Sequence, residues 1–519
     1  MKNFFKEWGK ALGIGFLIFI LAIFLRLYNL DALPVFADEA IYVRWAQVMR
    51  AESTLRFLPL SDGKQPLFMW LVIPFLKVVG DPLFAGRATS VFAGMGTLVG
   101  IFLITHYLFK SKKAALVSAL IYAVSPFSIF FDRMALADSL LAMFGVWVFL
   151  LGLITARSVR LDFAMLTGFA LGGALLTKSP ALFFSLMLPS TWFLASWPKR
   201  KKERISKLIK LTGLLMVTYL IGYGMYNILR LGPSFHLIAS RNQDYVLPLS
   251  HLWTNPRDPF IFYFDRAFEW VSFLGPWPIW ILAPLGFLLG FEKNRKEMLV
   301  LGFWYLLPIA AQSEFAKVFT ARYILFSLPF LFITAASLFK SSFSKRRGFV
   351  TSAFLVIFAG VALWTDYLLV TKPERASLPR SERSGYLEEW TAGTGIKNVA
   401  LLIRKLHTEN PQQKIVVGTE GYFGTLPDGL QIYLNDLPEI TVIGVGIVID
   451  QMPSSLKESK EAGNKTFLVV NSSRFKITDP EKLGLRLIAS HEKANRPTGF
   501  REYVQFGSRD SLLFFEVSE

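Results

Sequence analysis

The feature that most restricts this chain is a train of apolar runs, each of roughly 16–22 residues, that recurs from the N-terminus to about residue 369 and then stops. A bilayer core takes about 20 consecutive apolar residues per crossing helix. No water reaches backbone N–H and C=O groups there, so a chain with runs of this length must satisfy them within helices. The runs predict spanning helices near 11–28, 84–106, 113–131, 136–156, 161–178, 180–197, 208–229, 272–290, 297–312, 321–339 and 348–369, about eleven in all. The apolar stretch 66–80 is too short to cross and reads as an interfacial or re-entrant helix. The 49 Phe and 13 Trp suit a lipid-facing surface with aromatic side chains near its interfaces. The first run follows Lys2, Lys6 and Lys10 in the manner of a signal peptide. No small-residue cleavage site follows it, so an uncleaved first helix is expected.

A net charge of +18 would point to nucleic acid in a soluble chain. Here the basic residues sit in short connectors between apolar runs, where lipid headgroups and the positive-inside rule account for them. Nucleic acid is therefore not an expected partner, whereas membrane lipids are. With the N-terminus cytoplasmic, one side of the membrane collects Lys110, Lys112 and Lys113; Arg157 and Arg160; the run 199–202 with Arg204, Lys207 and Lys210; Lys293, Arg295 and Lys296; and Lys340, Lys345, Arg346 and Arg347. The other side receives the long loops 29–83 and 230–271 and everything after about 370. The expected architecture is thus an all-α polytopic membrane domain, 1–370, and a soluble extracytoplasmic α/β domain, 371–519. The location is a cell membrane.

Within that tail, 384–407 reads as an amphipathic helical region. Strands are expected at 414–418, 440–449, 466–471, 485–490 and 512–517, with a helix near 430–434. The chain has no cysteine, which removes disulfides, thiolate nucleophiles and thiolate metal sites. Its five histidines are scattered without metal-ligand spacing, and there is no HExxH, P-loop or GxSxG.

Candidate chemistry collects on the outer side, where long loops ride on a rigid scaffold. Asp38-Glu39 stands a few residues beyond the first helix, placed for a general base or to hold a cation. Asp38 could equally N-cap a helix over 40–49. Gly63-Lys64-Gln65-Pro66-Leu67 precedes the short apolar helix, so Lys64 can grip a lipid phosphate or simply snorkel to the headgroups. Asp132-Arg133 and Asp138 occupy a very short turn between expected helices, either as a structural ion pair or as part of a site. Lys178 adds a positive group at the next outer turn. Arg241, Asp244, Tyr245, His251, Asp265, Arg266 and Glu269 lie in the second long loop. Glu314, Lys317 and Arg322-Tyr323 follow at the outer mouth of the tenth helix, where basic groups at one depth can clamp a phosphate.

The order of these motifs resembles the GT-C superfamily of membrane glycosyltransferases. The similarity is to the dolichyl-phosphate-mannose–protein mannosyltransferase and aminoarabinose transferase members. It rests on the acidic pair, the Gly-Lys-x-Pro-Leu stretch, Arg133 with Asp138, Leu176-Thr177-Lys178 and Ala321-Arg322-Tyr323, over roughly residues 10–370. The resemblance implies inverting transfer of a sugar, mannose or another hexose, from a polyprenyl-phosphate-linked donor to an acceptor on the non-cytoplasmic face. The acceptor class left open is protein, glycolipid or cell-surface polymer. By the same resemblance Asp38 is the base and Glu39 assists it or helps to hold substrate. Lys64 and Arg322 neutralise the lipid phosphate; Asp132, Arg133 and Asp138 shape the site, and Lys178 and Tyr323 join the substrate contacts. Some members use a divalent metal ion and others do not, so a metal is the one candidate cofactor. The chain departs from the eukaryotic mannosyltransferases in lacking a β-trefoil insertion and in ending with the α/β tail. A secondary transporter is the competing reading, and it predicts inverted repeats and helices broken at the membrane midplane. A non-catalytic anchor for the tail would need far fewer helices.

Overall fold

The computed structural model describes residues 2–340 and 345–518. The side chains of Lys2, Lys6, Lys345, Arg346 and Arg347 lie outside the described part. Among the described residues seven helices are long and apolar enough to cross a membrane: Glu7–Leu27, Pro82–Phe109, Ala137–Ser158, Lys201–Leu231, Arg295–Phe315, Ala321–Lys340 and Gly348–Thr371. Two bent pairs, Lys112–Val124 with Pro126–Asp132 and Phe260–Leu274 with Ile279–Lys293, raise the number to nine. The first pair bends by 58° at Ser125-Pro126, where Pro126 cannot donate a backbone N–H.

The other two expected crossings, 161–178 and 180–197, correspond to Leu161–Thr177 and Ser179–Leu194, apolar but short. The first has 17 residues; at about 1.5 Å per residue it falls short of a hydrocarbon core of about 30 Å. The expected span 272–290 also differs. Its helix begins at Phe260, inside what the sequence suggests is outer loop, and the chain turns by 108° before Ile279. Asp265, Arg266 and Glu269 dilute the apolar signal of the first half, and Gly275-Pro276-Trp277-Pro278 breaks the helix between the halves. The short apolar stretch before Gly80 is the 12-residue helix Leu67–Val78.

The chain divides into two compact units. The first comprises Met1–Tyr28, Thr54–Phe68 and Ala88–Thr371. Its interior is aromatic: Trp304 lies between 5.0 and 6.2 Å, centroid to centroid, from Phe149, Phe330 and Phe184. The short helix Leu161–Thr177 packs along Lys201–Tyr226 through small residues, as lipid-embedded helices do. A Cβ on Gly168 would stand 2.8 Å from the Thr218 carbonyl oxygen. Thr218 Oγ1 donates across the same seam to the Ala164 carbonyl at 2.9 Å.

The second unit comprises Asn29–Ser53, Met69–Arg87 and Lys372–Glu519. Two residue pairs form its small sheet, β1 (Val35–Phe36) against β2 (Ala392–Gly393). Its main sheet contains β3 (Ile415–Glu420), β4 (Ile440–Gly446), β5 (Lys465–Asn471), β6 (Leu485–Glu492) and β7 (Ser511–Val517), in the order β4-β3-β5-β7-β6. Strands β4, β3 and β5 are parallel, and β7 runs antiparallel to β5 and β6. Leu456, Leu468, Val470, Phe515 and Val517 fill a core on this sheet. The five strands fall where their alternating and β-branched sequences predict. The expected helical region 384–407 is instead two pieces, a π-helical turn Ser384–Glu388 and the helix Ile396–Glu409. Strand β2 intervenes because Thr391-Ala392-Gly393 pairs with the first loop. The helix Ala37–Ala51 packs on Asp428–Leu434, with Gln47 Nε2 donating to the Ile432 carbonyl at 2.8 Å.

Gly168→Ile is expected to destabilise the first unit by about 1–3 kcal/mol, because the atom it meets is backbone and cannot yield. Thermal unfolding of the detergent-purified variant against wild type measures it; an unchanged midpoint removes the close approach as a constraint.

Candidate active site

In the second unit, the acidic pair opens the helix Ala37–Ala51. Asp38 is thus not the cap: the helix starts one residue before it, and both carboxylates lie in the first turn, where the helix dipole favours negative charge. Successive residues on a helix point about 100° apart, so the two cannot share surroundings. Glu39 turns inward and is fully buried, whereas Asp38 is half-buried. Glu39 Oε2 accepts from the Phe36 backbone N–H at 3.0 Å. Arg87 meets the same carboxylate with two parallel bonds, Nε to Oε1 and Nη2 to Oε2, both 2.8 Å. Its remaining N–H groups donate to the carbonyls of Leu30 (2.7 Å), Leu33 (2.9 Å) and Pro34 (3.0 Å). One buried guanidinium therefore fastens the loop that carries Asp38.

In the first unit, Asp138 begins the helix Ala137–Ser158, and Lys178 follows the helix Leu161–Thr177. Their ion pair is 2.6 Å long, with the side chains 5% and 21% exposed, so it stays largely out of solvent. Lys178 Nζ also stands 4.4 Å from the Tyr323 ring centroid, and the Arg322 guanidinium carbon 5.5 Å from it. Asp138, Lys178, Arg322 and Tyr323 are thus one cluster, in which both cations approach the Tyr323 ring and Lys178 also pairs with the Asp138 carboxylate. Next to it, Gln65 Nε2 donates to Ser179 Oγ at 2.9 Å. This bridge lies one residue from Lys64 on one side and one from Lys178 on the other. Lys64 pairs with Asp62 at 3.3 Å, and Arg241 approaches Asp62 at 3.5 Å. Gly63 permits this turn: its φ is +64°, and a Cβ would meet Arg241 Cβ at 2.4 Å and the Leu237 carbonyl oxygen at 2.6 Å.

Asp132 and Arg133 each reach partners on earlier helices. Asp132, fully buried, accepts from Arg26 Nε (2.9 Å) and the Tyr122 hydroxyl (2.8 Å). Arg133 Nη1 donates to the carbonyls of Leu25 (3.0 Å), Arg26 (3.0 Å) and Tyr28 (2.7 Å) at the end of the first helix. Two of the other candidates, both in the helix Phe260–Leu274, make a local pair: Arg266 with Glu269 at 2.6 Å. His251 approaches Glu314 at 3.3 Å, and Lys317 donates to the Gln243 carbonyl at 2.7 Å, which fastens the second long loop to the end of Arg295–Phe315. Among the described residues no three His, Asp or Glu side chains gather as a metal-ligand set. The sequence reading missed Arg26, Arg87 and Tyr122. For the arginines the signal was available, since a lone charge inside an apolar run needs a buried partner.

Truncating one member of a buried ion pair strands the other. Arg87→Ala is expected to cost about 3–5 kcal/mol for that reason. In a thermodynamic cycle with Glu39→Gln, the double variant should recover part of the loss; strict additivity would mean that the two do not act as a pair.

Residues 63–222 match the family model described as dolichyl-phosphate-mannose-protein mannosyltransferase. No curated protein matches the chain by sequence. The fold is similar to the crystal structure of ArnT from Cupriavidus metallidurans bound to undecaprenyl phosphate, with a TM-score of 0.58 and 15% identity over 98% of each chain. The apo form of ArnT gives the same TM-score at 16% identity, over 97% of this chain and 98% of that one. The archaeal oligosaccharyltransferase AglB from Archaeoglobus fulgidus, in complex with an inhibitory peptide and a dolichol-phosphate, is similar at a TM-score of 0.50 and 12% identity, over 90% of this chain and 70% of that one. The chain is a multi-pass membrane protein whose fold is similar to those of ArnT and AglB, and its residues 63–222 match the mannosyltransferase family model.

Proposed function

We propose that this protein transfers a sugar from a polyprenyl-phosphate-linked donor to an acceptor on the non-cytoplasmic side of the membrane, with inversion at the anomeric carbon. The observation that carries this reading is the cluster of Lys178, Arg322, Tyr323 and Asp138, with Lys64 joined to its edge through Gln65 and Ser179. Direct displacement of a sugar needs one base and a site that stabilises the departing phosphate, and it needs no covalent nucleophile. Cations held by a ring and a carboxylate, largely out of solvent, provide the second requirement. The carriers named for the similar ArnT and AglB structures, undecaprenyl phosphate and dolichol-phosphate, are phosphates of this kind.

In this reading Asp38 takes the proton from the acceptor hydroxyl as its oxygen bonds to the anomeric carbon. The bond from that carbon to the phosphate oxygen breaks, and its electron pair leaves with the lipid phosphate. Lys64, Lys178 and Arg322 neutralise the leaving group. Tyr323 holds the two cations of the cluster beside one another, and Asp138 fixes Lys178. Glu39 is a positioning residue, acting on Asp38 through the helix turn they share. Asp132 and Arg133 fix the end of the first helix. Mannose or another hexose is the sugar proposed, and a protein, glycolipid or cell-surface polymer the acceptor. The N-terminus is cytoplasmic and the tail domain extracytoplasmic, in a cell membrane.

The test follows release of free polyprenyl phosphate from a panel of polyprenyl-phosphate sugars by the protein in lipid, with envelope extract as acceptor. Asp38→Asn is expected to lower turnover by roughly 10²–10⁴-fold, the usual worth of a positioned base, with folding intact. Release by neither protein from any donor refutes the transferase reading, and equal release by both removes Asp38 from the base role. Lys178→Met is expected to weaken inhibition by added polyprenyl phosphate roughly 10- to 100-fold, as loss of a charge-assisted contact does. Unchanged inhibition would take Lys178 out of the phosphate site.

A further inference from the structure

The second unit contains a groove of about 660 Å³ whose lining includes neither Asp38 nor Glu39. Its walls come from four places in the sequence: the end of the helix Ala37–Ala51, the stretch 76–82, one face of Ile396–Glu409, and Asp428–Leu434 with the two residues after it. The size suits a small organic ligand, for which pockets run from about 300 to 1,000 Å³.

We propose that this groove binds a neutral, polyhydroxylated segment, a stretch of saccharide belonging to the acceptor. The chemistry of the walls selects that class. Arg50, Lys397 and Arg404 offer donors, while Asp81, Asp436 and Asn435 offer acceptors. A sugar hydroxyl donates and accepts at once, so it finds partners on walls of mixed sign. A polyanion would face two carboxylates, and an alkyl chain would strip water from five charges without replacing it. The polar groups are already held in place. Lys397 pairs with Asp81 at 2.6 Å and with Asp31 at 2.8 Å, Arg404 pairs with Asp436, and Arg50 Nη1 donates to the Leu76 carbonyl at 2.8 Å. Such prior ordering lowers the entropic cost of binding. Leu76, Leu401, Ile432 and Tyr433 give the apolar surface that the C–H face of a sugar ring covers.

Two further observations agree. Gln47 is buried with its Nε2 committed to the Ile432 carbonyl, and its Oε1 has no hydrogen-bond partner among the described residues. A ligand hydroxyl supplies the missing donor. Tyr433 is held well above the usual phenol range by burial first and then by the negative charge of Asp81, so its hydroxyl keeps its proton to donate.

Binding itself stands apart from catalysis; that the ligand belongs to the acceptor rests on the transferase reading. The experiment uses the full-length protein in lipid nanodiscs on an array of neutral and anionic oligosaccharides, followed by titration of the tightest neutral one. Leu401→Trp, which fills the groove from an exposed position, and Arg404→Ala are each expected to weaken binding at least roughly tenfold. Lys457→Ala, outside the groove, and Asp38→Asn are expected to bind as wild type does. Retention of no neutral saccharide, or undiminished binding by the folded Leu401→Trp and Arg404→Ala variants, would overturn the proposal. So would capture of anionic glycans alone with loss in high salt. Saccharide binding by a protein that releases no polyprenyl phosphate would sink the transferase reading and leave the groove standing.

Discussion

Backbone carbonyls beyond a helix end must find donors, and in this protein two buried arginines supply them. Arg133 gathers the carbonyls of Leu25, Arg26 and Tyr28, the C-terminal groups of the first helix that have no partner within it. A few residues on, Arg87 gathers those of Leu30, Leu33 and Pro34 and takes the Glu39 carboxylate as its counter-charge. The guanidinium suits both tasks, being planar, always charged and able to donate in several directions at once. A lysine could neutralise Glu39 but could not also reach three carbonyls in fixed geometry. Asp38, the base proposed above, shares the first turn of its helix with Glu39, so its position follows from these bonds.

This arrangement explains why adjacent carboxylates take different parts. From sequence, Asp38-Glu39 looks like one acidic pair with one purpose. The helix separates them: Glu39 enters the interior and becomes the anchor, and Asp38 keeps partial exposure. Asp132 and Arg133 look like a self-contained ion pair, but each turns to a partner on an earlier helix. Asp138 and Lys178, 40 residues apart, are the pair that forms. Sequence position identified these residues, while only the packing of helices could assign their partners.

The membrane architecture was legible for a simple reason, that the solvent dictates both the length and the composition of a crossing helix. Hydropathy weakened where the helices carry charge or break. The first half of the bent pair Phe260–Leu274 and Ile279–Lys293 went unseen because Asp265, Arg266 and Glu269 mask an otherwise aromatic run. In the tail, the five main strands were visible in alternating and β-branched residues, but β2 was not. Two residues carry no periodicity, and strand β2 exists because of a partner more than 300 residues earlier in the chain. Arg26 and Arg87 escaped for a related reason, since a single charge barely alters the mean hydropathy of the run around it.

The pairing of Val35–Phe36 with Ala392–Gly393 also imposes an order in time. The ribosome delivers the first strand early, but its mate arrives only after the last long apolar helix has been made. Until then, the segment bearing Asp38 lacks the strand and the helix Asp428–Leu434 against which it rests in the finished protein. Acquisition of those surroundings is therefore postponed until residue 434 has been made. A chain that stops before residue 392 can form its earlier apolar helices and still lack the strand and the helix that hold the segment bearing Asp38.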